Sequence, residues 1–488
     1  MIDTQAIRIN LLDAAIHGNL TENNDYPSAE TILSSIEEQY SALLSSCDTK
    51  EIVDVPMINE GLFELPNTWV WVPLCKLCVF LSRGKSPKYS EVKKYPVFAQ
   101  KCNQPAGLAL DRALFLDETT LDKWQQFFRL QDGDILINST GTGTMGRIGY
   151  YESAKLKPEY PFMVPDSHVT VARLGVGVVP KYIYYAMRSS FLQKAMEKQF
   201  RGTTNQKEFY INSVAATPIP LPPTKTQELI VATLDSSYAI LRSIDEKQVH
   251  YSNNLAALRN KLIDAAIQGK LTEQVAEDDT AEELYQKIQV EKLALIKSGK
   301  IKKEKTPVVV TDTEKPFEIP ENWKWVSVGD VCINIQYGSS KKSSPSGKMP
   351  VIRMGNIQKG KIVFDKLVYT SDDDEIARYP LEPGDLLFNR TNSMELVGKT
   401  GIYKGEQPAI YAGYLVRVTP LLLLPDYLNY CMQSKYYWDY CRTVRIDSNG
   451  QSNINAEKLK RFVFPLPPLA EQRRIVSLLD QVLERIAS

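Results

Sequence analysis

Two groups of polar, glycine-punctuated segments carry the side chains best suited to contact DNA. Arginine can form paired hydrogen bonds with guanine, and asparagine or glutamine can do so with adenine. Serine and threonine hydroxyls and glycine backbone amides suit phosphate oxygens. The first group supplies the candidates Arg83, Lys85, Thr140, Thr142, Thr144, Arg147, Arg201, Thr203, Thr204, Asn205 and Gln206. The second group supplies Lys341, Arg353, Asn356, Gln358, Arg390, Asn392, Arg445, Asn449, Gln451 and Ser452.

Two glycine-rich segments resemble nucleotide-binding motifs without completing them. The run from Gly141 to Gly146, GTGTMG, fits the pattern G-x-G-x-x-G, but that fingerprint needs a helix to begin at its last glycine. The residues that follow, from Arg147 to Tyr151, are typical of a strand, so we expect a glycine-rich hairpin loop. The run GNIQKGKI has Ile362 where a P-loop needs the serine or threonine that binds magnesium. Neither segment therefore predicts a nucleotide site.

Other catalytic and metal-binding patterns are also incomplete. Cys75 and Cys78 form a single CxxC pair, whereas a structural zinc site needs four ligands. The histidines are far apart and have no recognisable nucleophile motif beside them: His17, His168 and His250. We expect His168 to be a hydrogen-bonded strand histidine, with a polar contact as the alternative. Asp245 and Lys247 resemble the end of a nuclease motif, but they lie on a long predicted helix without a partner acid. The sequence therefore predicts no catalytic residue, no metal site and no cofactor of its own.

The composition is that of an ordinary globular protein, with 43% hydrophobic and 24% charged residues among 488. Lysine and arginine number 58, as do aspartate and glutamate, so the net charge is zero. This excludes a protein that coats nucleic acid by its overall charge, although a local basic face or a partner could still attract phosphate. The sequence shows no membrane-span pattern and no signal core, and its seven scattered cysteines suit reduced thiols. We therefore expect a cytoplasmic protein of about three folding units.

The chain contains an internal duplication. The segment from Arg8 to Glu22 matches the segment from Arg259 to Glu273 at ten of fifteen positions. The run PLPPTKTQELIVATLD at Pro220 returns as PLPPLAEQRRIVSLLD at Pro465, with nine identities in sixteen. Between these segments GDILIN recurs as GDLLFN. The order of the repeat is helical segment, globular domain, helical segment, twice over, and such periodicity decides the fold.

The middle of the chain predicts one long helix with a coiled-coil-like seam. No glycine or proline interrupts the stretch from Thr224 to Gln268. Apolar residues recur there at three- and four-residue spacing, which is typical of such a seam: Ile230, Leu234, Leu241, Ile244, Tyr251, Leu255, Leu258, Leu262 and Ala265. The two ends of the chain carry matching stripes, Ile7, Leu11 and Ala14 at the first and Ile475, Leu479, Val482 and Ile486 at the second. We expect both ends to pack antiparallel to the central helix.

The predicted fold is therefore two tandem α/β (α+β) domains separated by long antiparallel, coiled-coil-like helices, in a circularly permuted repeat with approximate two-fold symmetry. The globular domains are predicted at 51–222 and 306–468. Helical segments are predicted at 1–50 and 469–488, and a central helix with its linker at 223–305. The tryptophan pairs that begin each domain, Trp69 with Trp71 and Trp323 with Trp325, are expected to pack in the core.

This arrangement resembles the specificity subunits of type I restriction–modification systems. The likeness rests on the DAAI-x-GKLT and PLPPxxEQ signatures of the helical segments, the ELPxxWxW pattern that begins each domain, and the GDxLxN and TGTGTxGR loops. It covers essentially the whole chain. The resemblance implies a non-catalytic DNA-recognition subunit in which each target-recognition domain reads one half of a split target. It also implies that the helices dock two adenine-specific methyltransferase subunits and that motor–nuclease restriction subunits join them. S-adenosylmethionine, ATP and magnesium would belong to those partners.

Two other functions are compatible with the residues alone. Polar loops also make up ordinary protein surfaces, so the chain could be a helical scaffold with protein-binding globular ends and no sequence-specific DNA readout. It could also be an enzyme of unfamiliar type, such as a fused methyltransferase–nuclease. Two similar loop sets on one helical rod favour DNA, because duplex sites one helical turn apart are separated by about 34 Å.

Overall fold

The computed structural model describes residues 1–21, 26, 29–58, 60–141, 143–203, 206–302, 315–448 and 450–487. The chain divides into two compact units, Met1–Val249 and His250–Ser488. Each unit has its own buried apolar clusters. The division between the units falls inside the long central helix.

The first unit combines helical segments with a domain of many short strands. Its helices are α1 (Thr4–Ile16), α2 (Glu30–Ser45), α3 (Pro180–Arg188), α4 (Ser190–Glu197), α5 (Ile211–Ala215) and the first part of α6 (Thr224–Ile267). Its strands are β1 (Val70–Pro73), β2 (Cys78–Arg83), β3 (Tyr89–Ser90), β4 (Pro96–Phe98), β5 (Asn103–Gln104), β6 (Gly107–Leu108), β7 (Leu114–Leu116), β8 (Ile135–Asn138), β9 (Ile148–Tyr150), β10 (Val164–Pro165), β11 (Val169–Leu174), β12 (Arg201–Thr203), β13 (Gln206–Glu208) and β14 (Pro218–Leu221).

An antiparallel sheet in the order β2–β11–β8–β9 lies at the centre of this unit. Both faces of β8 are buried because its side chains alternate between two apolar clusters. Ile135 and Ile137 pack on the helical side, and Leu136 packs on the opposite side. A separate antiparallel pair, β1 with β14, brings the start of the domain back to its end, immediately before α6.

The second unit has the same order of elements. Its helices are the rest of α6, α7 (Ala281–Lys297), α8 (Val328–Val331), α9 (Asp373–Arg378), α10 (Pro425–Cys431), α11 (Lys435–Val444), α12 (Ala456–Lys460) and α13 (Leu469–Ala487). Its strands are β15 (Lys324–Ser327), β16 (Cys332–Tyr337), β17 (Met349–Ile352), β18 (Ile357–Gln358), β19 (Gly360–Ile362), β20 (Val368–Thr370), β21 (Leu386–Asn389), β22 (Thr391–Asn392), β23 (Thr400–Ile402), β24 (Ile410–Tyr411), β25 (Leu415–Pro420), β26 (Ile446–Ser448), β27 (Gln451–Asn453) and β28 (Val463–Leu466).

The central sheet of the second unit has six strands in the order β16–β25–β21–β23–β19–β18. Strand β21 matches β8, because Leu386 and Phe388 pack on the helical side and Leu387 on the other. The pair β15 with β28 matches β1 with β14. The predicted mixture of helices and short strands, in two tandem copies, is confirmed.

The central helix α6 is continuous over 44 residues, as predicted. Helix α1 runs antiparallel to its first part. The Ile2 amide donates to Gln248 at 2.6 Å, Arg8 forms an ion pair with Asp245, and the Tyr238 hydroxyl donates to the Arg8 carbonyl at 3.3 Å. In the second unit, Ile475 and Leu479 of α13 are buried in one cluster with Ile263 near the end of α6.

The predicted seam of α6 is wrong in its middle. Leu234 is fully buried, but Tyr251 is 61% exposed and Leu258 is 44% exposed. The physical reason is that neither side chain joins the apolar clusters that bury the two end parts of α6.

The buried face of α1 also differs from the predicted stripe. Ile7 is 38% exposed, whereas Leu12, Ala15 and Ile16 are buried. Arg8 contacts α6 through Asp245 and Tyr238, and the residues that follow it on the same face, Leu12, Ala15 and Ile16, lie in the core cluster. The stripe is therefore shifted by about one position from the predicted one.

Two helical stretches, 180–197 and 425–444, are each divided in two at a serine. Ser189 has an extended backbone, and its side chain accepts a hydrogen bond from the Leu192 amide at the start of α4. Ser434 does the same for the Tyr437 amide at the start of α11. Each serine is thus an N-cap that begins a new helix.

The two glycine-rich segments form hairpins, which confirms the prediction for GTGTMG. Strand β8 pairs antiparallel with β9 across that loop, and β18 pairs antiparallel with β19 within GNIQKGKI. Across the described ranges, no helix is both long enough and apolar enough to span a bilayer. Of the tryptophan pairs predicted to pack in the core, Trp69 and Trp323 are buried, whereas Trp71 and Trp325 are half-buried.

The duplication extends to individual contacts. The Asp13 carboxylate accepts hydrogen bonds from the Ser190 amide at 2.9 Å and from its hydroxyl at 2.6 Å. The repeat equivalent, Asp264, accepts from the Lys435 amide at 2.9 Å. In both units an aspartate on the repeated helical segment therefore holds the first turn of the helix that follows the capping serine.

Candidate nucleic-acid interface

The two ends of the loop between β8 and β9 contact neighbouring elements of the first unit. The Ser139 hydroxyl forms a 2.6 Å hydrogen bond with Thr170 of the neighbouring strand. Gly146 has a φ of +76°, and a side chain there would meet the Phe200 ring at 2.8 Å. The loop therefore needs glycine at this position.

Two predicted DNA-contacting residues brace this loop. The Arg147 guanidinium donates to the carbonyls of Asn103 at 3.3 Å and Gly143 at 3.0 Å. The Thr144 hydroxyl lies 3.4 Å from the Thr140 carbonyl, within the loop itself. Part of the donor capacity of Arg147 is thus used to position the backbone of the loop.

A second hairpin, β12 with β13, meets the same loop. Thr140 pairs with Glu208 at the end of β13, and the Phe209 amide donates to the Ser139 carbonyl at 2.8 Å. Glu208 also forms an ion pair with Arg83 at the end of β2. Arg201 is exposed on β12. The structure therefore brings Arg83, Thr140 and the β12–β13 hairpin to one edge of the unit.

The Lys85 side chain is held by contacts with other residues. Its ammonium lies over the Phe128 ring, 4.2 Å from the centroid, and donates to the Lys123 carbonyl. Lys50 lies over the same ring at 5.5 Å. Burial, followed by repulsion from Lys50 and Lys123, lowers the pKa of Lys85. Within the parts of the chain that the structure describes, none of these three lysines has an ion-pair partner, so they form a local basic cluster.

His168 differs from its prediction. It lies in an exposed turn just before β11 and not within a strand, because Asp166 accepts a hydrogen bond from the His168 amide at 2.9 Å and turns the chain. Its Nδ1 lies 2.7 Å from the Thr140 hydroxyl. This polar contact places the imidazole beside the loop that carries the candidate residues.

In the second unit, three strands gather several candidates. The sheet β22–β27–β26 joins the loop after β21 to the hairpin after α11. Arg390 lies over the Tyr337 ring at 4.7 Å, and its Nη2 is 3.4 Å from the Asn453 carbonyl oxygen of the side chain. Asn392 lies on β22, and Gln451 is exposed on β27.

Arg445 flanks this small sheet. Its guanidinium donates to the Met394 carbonyl at 3.0 Å and forms an ion pair with Asp447 at 3.2 Å. Ser452 is buried, and its hydroxyl donates to the same aspartate. Burial therefore removes Ser452 from the side chains that can reach a ligand without rearrangement.

The remaining candidates of the second unit lie apart from this sheet. Lys341 forms an ion pair with Asp372, which raises the pKa of the lysine. Arg353 is half-buried and donates to the Lys366 carbonyl at 2.9 Å. Gln358 is exposed on β18.

Asn356 is a correction to the predicted interface. It is 3% exposed, and its side-chain amide donates to the carbonyls of Val363 at 3.0 Å and Asp365 at 2.8 Å. Its side-chain oxygen accepts from the Arg353 amide at 2.9 Å. All of its polar atoms therefore hold the loop together, and none faces outward.

Some candidates have no described geometry. Thr142, Thr204, Asn205 and Asn449 lie outside the described residues, as do residues 303–314, where the predicted linker passes into the second domain. The strands that contain Thr203 and Gln206 are described, but their side chains are not. Glu208, which pairs with Arg83, was not predicted, nor were Tyr337 and Asn453, which contact Arg390, because these contacts join segments distant in sequence.

The arrangement offers hydrogen-bond donors at the edges of both units. In the described ranges, no group of three or more histidine, cysteine or acidic side chains could hold a metal ion. Cys75 and Cys78 are buried, and burial raises the pKa of both thiols. The buried Asp134 has a raised pKa because of desolvation, and its ion pair with Arg173 at 2.8 Å is internal to the domain. These groups support the fold.

Comparison with known proteins gives a consistent result. A family described as "Type I restriction modification DNA specificity domain" matches residues 66–249 and 320–488, well over half of the chain. The EcoAI specificity subunit of a type I restriction enzyme of Escherichia coli is 25% identical, over 97% of this chain and 88% of its own length. The EcoEI specificity subunit of the same organism is 24% identical, over 96% of this chain and 87% of its own length.

A solved structure shares the fold. It is described as "Structural basis underlying complex assembly and conformational transition of the type I R-M system". Its TM-score is 0.57 at 20% identity, over 87% of this chain and 92% of that one. At this identity the likeness supports the architecture alone.

Proposed function

The chain belongs to the family of type I restriction–modification DNA specificity proteins, and on that premise we propose that each of its two domains reads one half of a two-part DNA target. It is the non-catalytic DNA-recognition subunit of such a system. The observation that carries the proposal is the duplication itself. Each unit has its own core and its own edge of arginine, threonine and amide side chains, presented by equivalent loops. Two independent reading edges on one chain suit a target with two specific parts.

We propose DNA contacts for the predicted residues that keep an outward or partly exposed position. In the first unit these are Arg83, Thr140, Thr144, Arg147 and Arg201. In the second unit these are Arg353, Gln358, Arg390, Asn392, Arg445 and Gln451. Lys85 and Lys341 are proposed as phosphate contacts, because a lysine ammonium acts on phosphate as a point charge and needs no fixed orientation. Losing a base contact should relax one position, whereas losing a phosphate contact should weaken all sequences alike.

The partners follow from the same premise. We propose that two adenine-specific methyltransferase subunits dock on the helical segments and that motor–nuclease restriction subunits join them, in the cytoplasm. Exposed apolar side chains on α6, with Ile240 at 62% and Tyr251 at 61%, support docking on this helix. S-adenosylmethionine, ATP and magnesium would be supplied by those subunits. A scaffold without DNA readout is not favoured, because the DNA specificity family matches both halves of the chain.

The test is an exchange of one domain. Residues 51–222 are replaced by the corresponding domain of a related specificity protein, and methylated adenines are mapped across the host genome with the methyltransferase subunits present. We expect one half of the methylated motif to change and the other half to stay as in the unmodified protein. The matched control exchanges residues 306–468 and should change only the other half. A motif that changes in both halves, or in the half read by the untouched domain, would contradict independent reading.

A further inference from the structure

Both units build the same turn before a six-residue strand, β11 in the first and β25 in the second. In the first unit the Gly84 amide donates to the Val169 carbonyl at 3.0 Å, and the Ser139 amide donates to the His168 carbonyl at 2.9 Å. In the second unit the Gly338 amide donates to the Leu415 carbonyl at 3.3 Å. The Arg390 amide donates to the Tyr414 carbonyl at 3.1 Å. His168 and Tyr414 therefore occupy equivalent positions.

Close backbone packing fixes this turn in both units. A side chain on Gly84 would lie 2.3 Å from the carbonyl oxygens of Pro165 and Asp166. A side chain on Gly338 would lie 2.2 Å from the Tyr411 carbonyl oxygen. Because only glycine permits this close approach, the backbone of the turn is fixed in the same way in both units. The aromatic residue on the turn differs, however: it is His168 in the first unit and Tyr414 in the second.

In the first unit, one nitrogen of the His168 imidazole is in a hydrogen bond and the other can contact a ligand. The Nδ1 atom of His168 contacts the Thr140 hydroxyl at 2.7 Å, which fixes the plane of an otherwise exposed imidazole. Over the part of the chain that is described, Nε2 of His168 forms no hydrogen bond. With Thr140 as donor, Nε2 carries the proton and can donate, and with the other tautomer it can accept.

In the second unit the equivalent aromatic residue, Tyr414, carries a hydroxyl. Tyr414 is half-buried and packs against the outer apolar cluster of its domain. Burial raises its pKa and the nearby Arg353 lowers it, so the hydroxyl stays protonated at neutral pH. With respect to residues whose positions are described, this hydroxyl has no hydrogen-bond partner. It can therefore donate and accept.

We propose that His168 and Tyr414 are equivalent specificity-determining residues, each of which reads one base edge in its own half of the target. The proposal rests on the function proposed above and names residues that the loop composition did not. His168 would act through Nε2 and Tyr414 through its hydroxyl, and both groups match the donor and acceptor atoms of the major groove. A phosphate contact needs no change of side chain between the two units, whereas reading two different base sequences does.

The test measures base preference with the complete complex of this chain and its methyltransferase subunits. Binding is selected from duplexes in which each base of the natural target is varied in turn. We expect His168→Ala to reduce the preference at one position of the half read by the first domain by about fivefold to tenfold, the effect of one hydrogen bond. Tyr414→Phe, which keeps the ring, should do the same at one position of the other half only. His168→Tyr should change which base is preferred at its position.

Control variants and the possible contrary results distinguish a failure of this proposal from a failure of the proposed function on which it rests. Tyr160→Phe removes a hydroxyl from a ring that packs on Phe115 in the first domain, and Tyr403→Phe removes one that donates to the Gln407 carbonyl in the second; both should leave every base preference unchanged. Variants of His168 and Tyr414 that keep all preferences, or that weaken all sequences equally, would overturn the assignment as base readers. If the unmodified complex itself showed no base preference, the proposed function would fall and this assignment with it.

Discussion

Replacing Leu12 by alanine tests the packing of α1 on its unit. Leu12 is 7% exposed and lies in the main cluster of the first unit together with Ile230 and Leu234 of α6. A buried leucine-to-alanine change usually costs about 2–5 kcal/mol, the range reflecting how far the site can collapse. Helix α1 has 13 residues, too few to be stable in isolation, so this packing determines whether it forms. We expect a loss of about 3 kcal/mol from the unfolding free energy of the first unit.

The assay is urea unfolding combined with amide hydrogen exchange. At an m-value of about 3 kcal/mol per molar, the midpoint of the first unit should fall by roughly 1 M. Exchange should accelerate in α1 and in the facing turns of α6. The matched control is Ile9→Ala on the same helix, where the side chain is 43% exposed, and it should cost less than about 0.5 kcal/mol. Equal effects of the two variants, or unchanged exchange in α1, would refute the described orientation of the helix.

Two further predictions concern the loops. Asn356→Ala should destabilise the second unit by about 2 kcal/mol, because it leaves buried carbonyls unpaired, whereas the exposed Gln358→Ala should leave thermal stability unchanged; equal melting temperatures for the two variants would contradict the assignment of Asn356 as internal. Gly84→Ala should abolish preference for the first half of the target, since the added methyl group would lie 2.3 Å from backbone oxygens, and Gly355→Ala, where the space is open, should bind like the unmodified protein. A Gly84→Ala complex with normal selectivity in both halves would show that the turn does not need its close approach.

Much of the architecture was predictable because the duplication can be recognised directly in the amino-acid sequence. The continuous helix α6 follows from a stretch without glycine or proline, and the β8–β9 hairpin follows from strand-like residues on both sides of GTGTMG. The capping roles of Ser189 and Ser434 were not predicted. A serine inside an apolar helical pattern is compatible with a continuous helix, and only tertiary contacts such as Asp13 with Ser190 decide for a new one.

Local sequence patterns could not predict the short outer strands or the directions of the long side chains. Strands of two residues, such as β3 and β22, exist because neighbouring strands pair with them and not because of their own propensity. Lys85 and Lys341 illustrate the same limit for a site. One packs on the Phe128 ring and the other on Asp372, and both partners are distant in sequence. His168 was misplaced because the turn at Asp166 depends on the Gly84 backbone, more than eighty residues earlier.

The two units share one buried pair of hydrogen bonds between the domain and the long helix that follows it. Gln227 accepts a hydrogen bond from the Val179 amide at 2.7 Å and donates to the Pro222 carbonyl at 2.9 Å. Gln472 makes the same two bonds at 2.8 and 2.9 Å.

These glutamines fix the start of the long helices to the domain, and they are buried in both copies. The side chains that differ between the copies, such as His168 and Tyr414, lie on loops whose backbone is fixed by other residues. Changing the exposed His168 therefore disturbs few buried contacts, and substitutions at such exposed positions typically alter stability by about 0.5 kcal/mol or less. Because each unit has its own core, a change that alters one reading edge leaves the other unit folded. In a duplicated chain of this kind, the half-target read by one domain can therefore change while the other domain keeps its own.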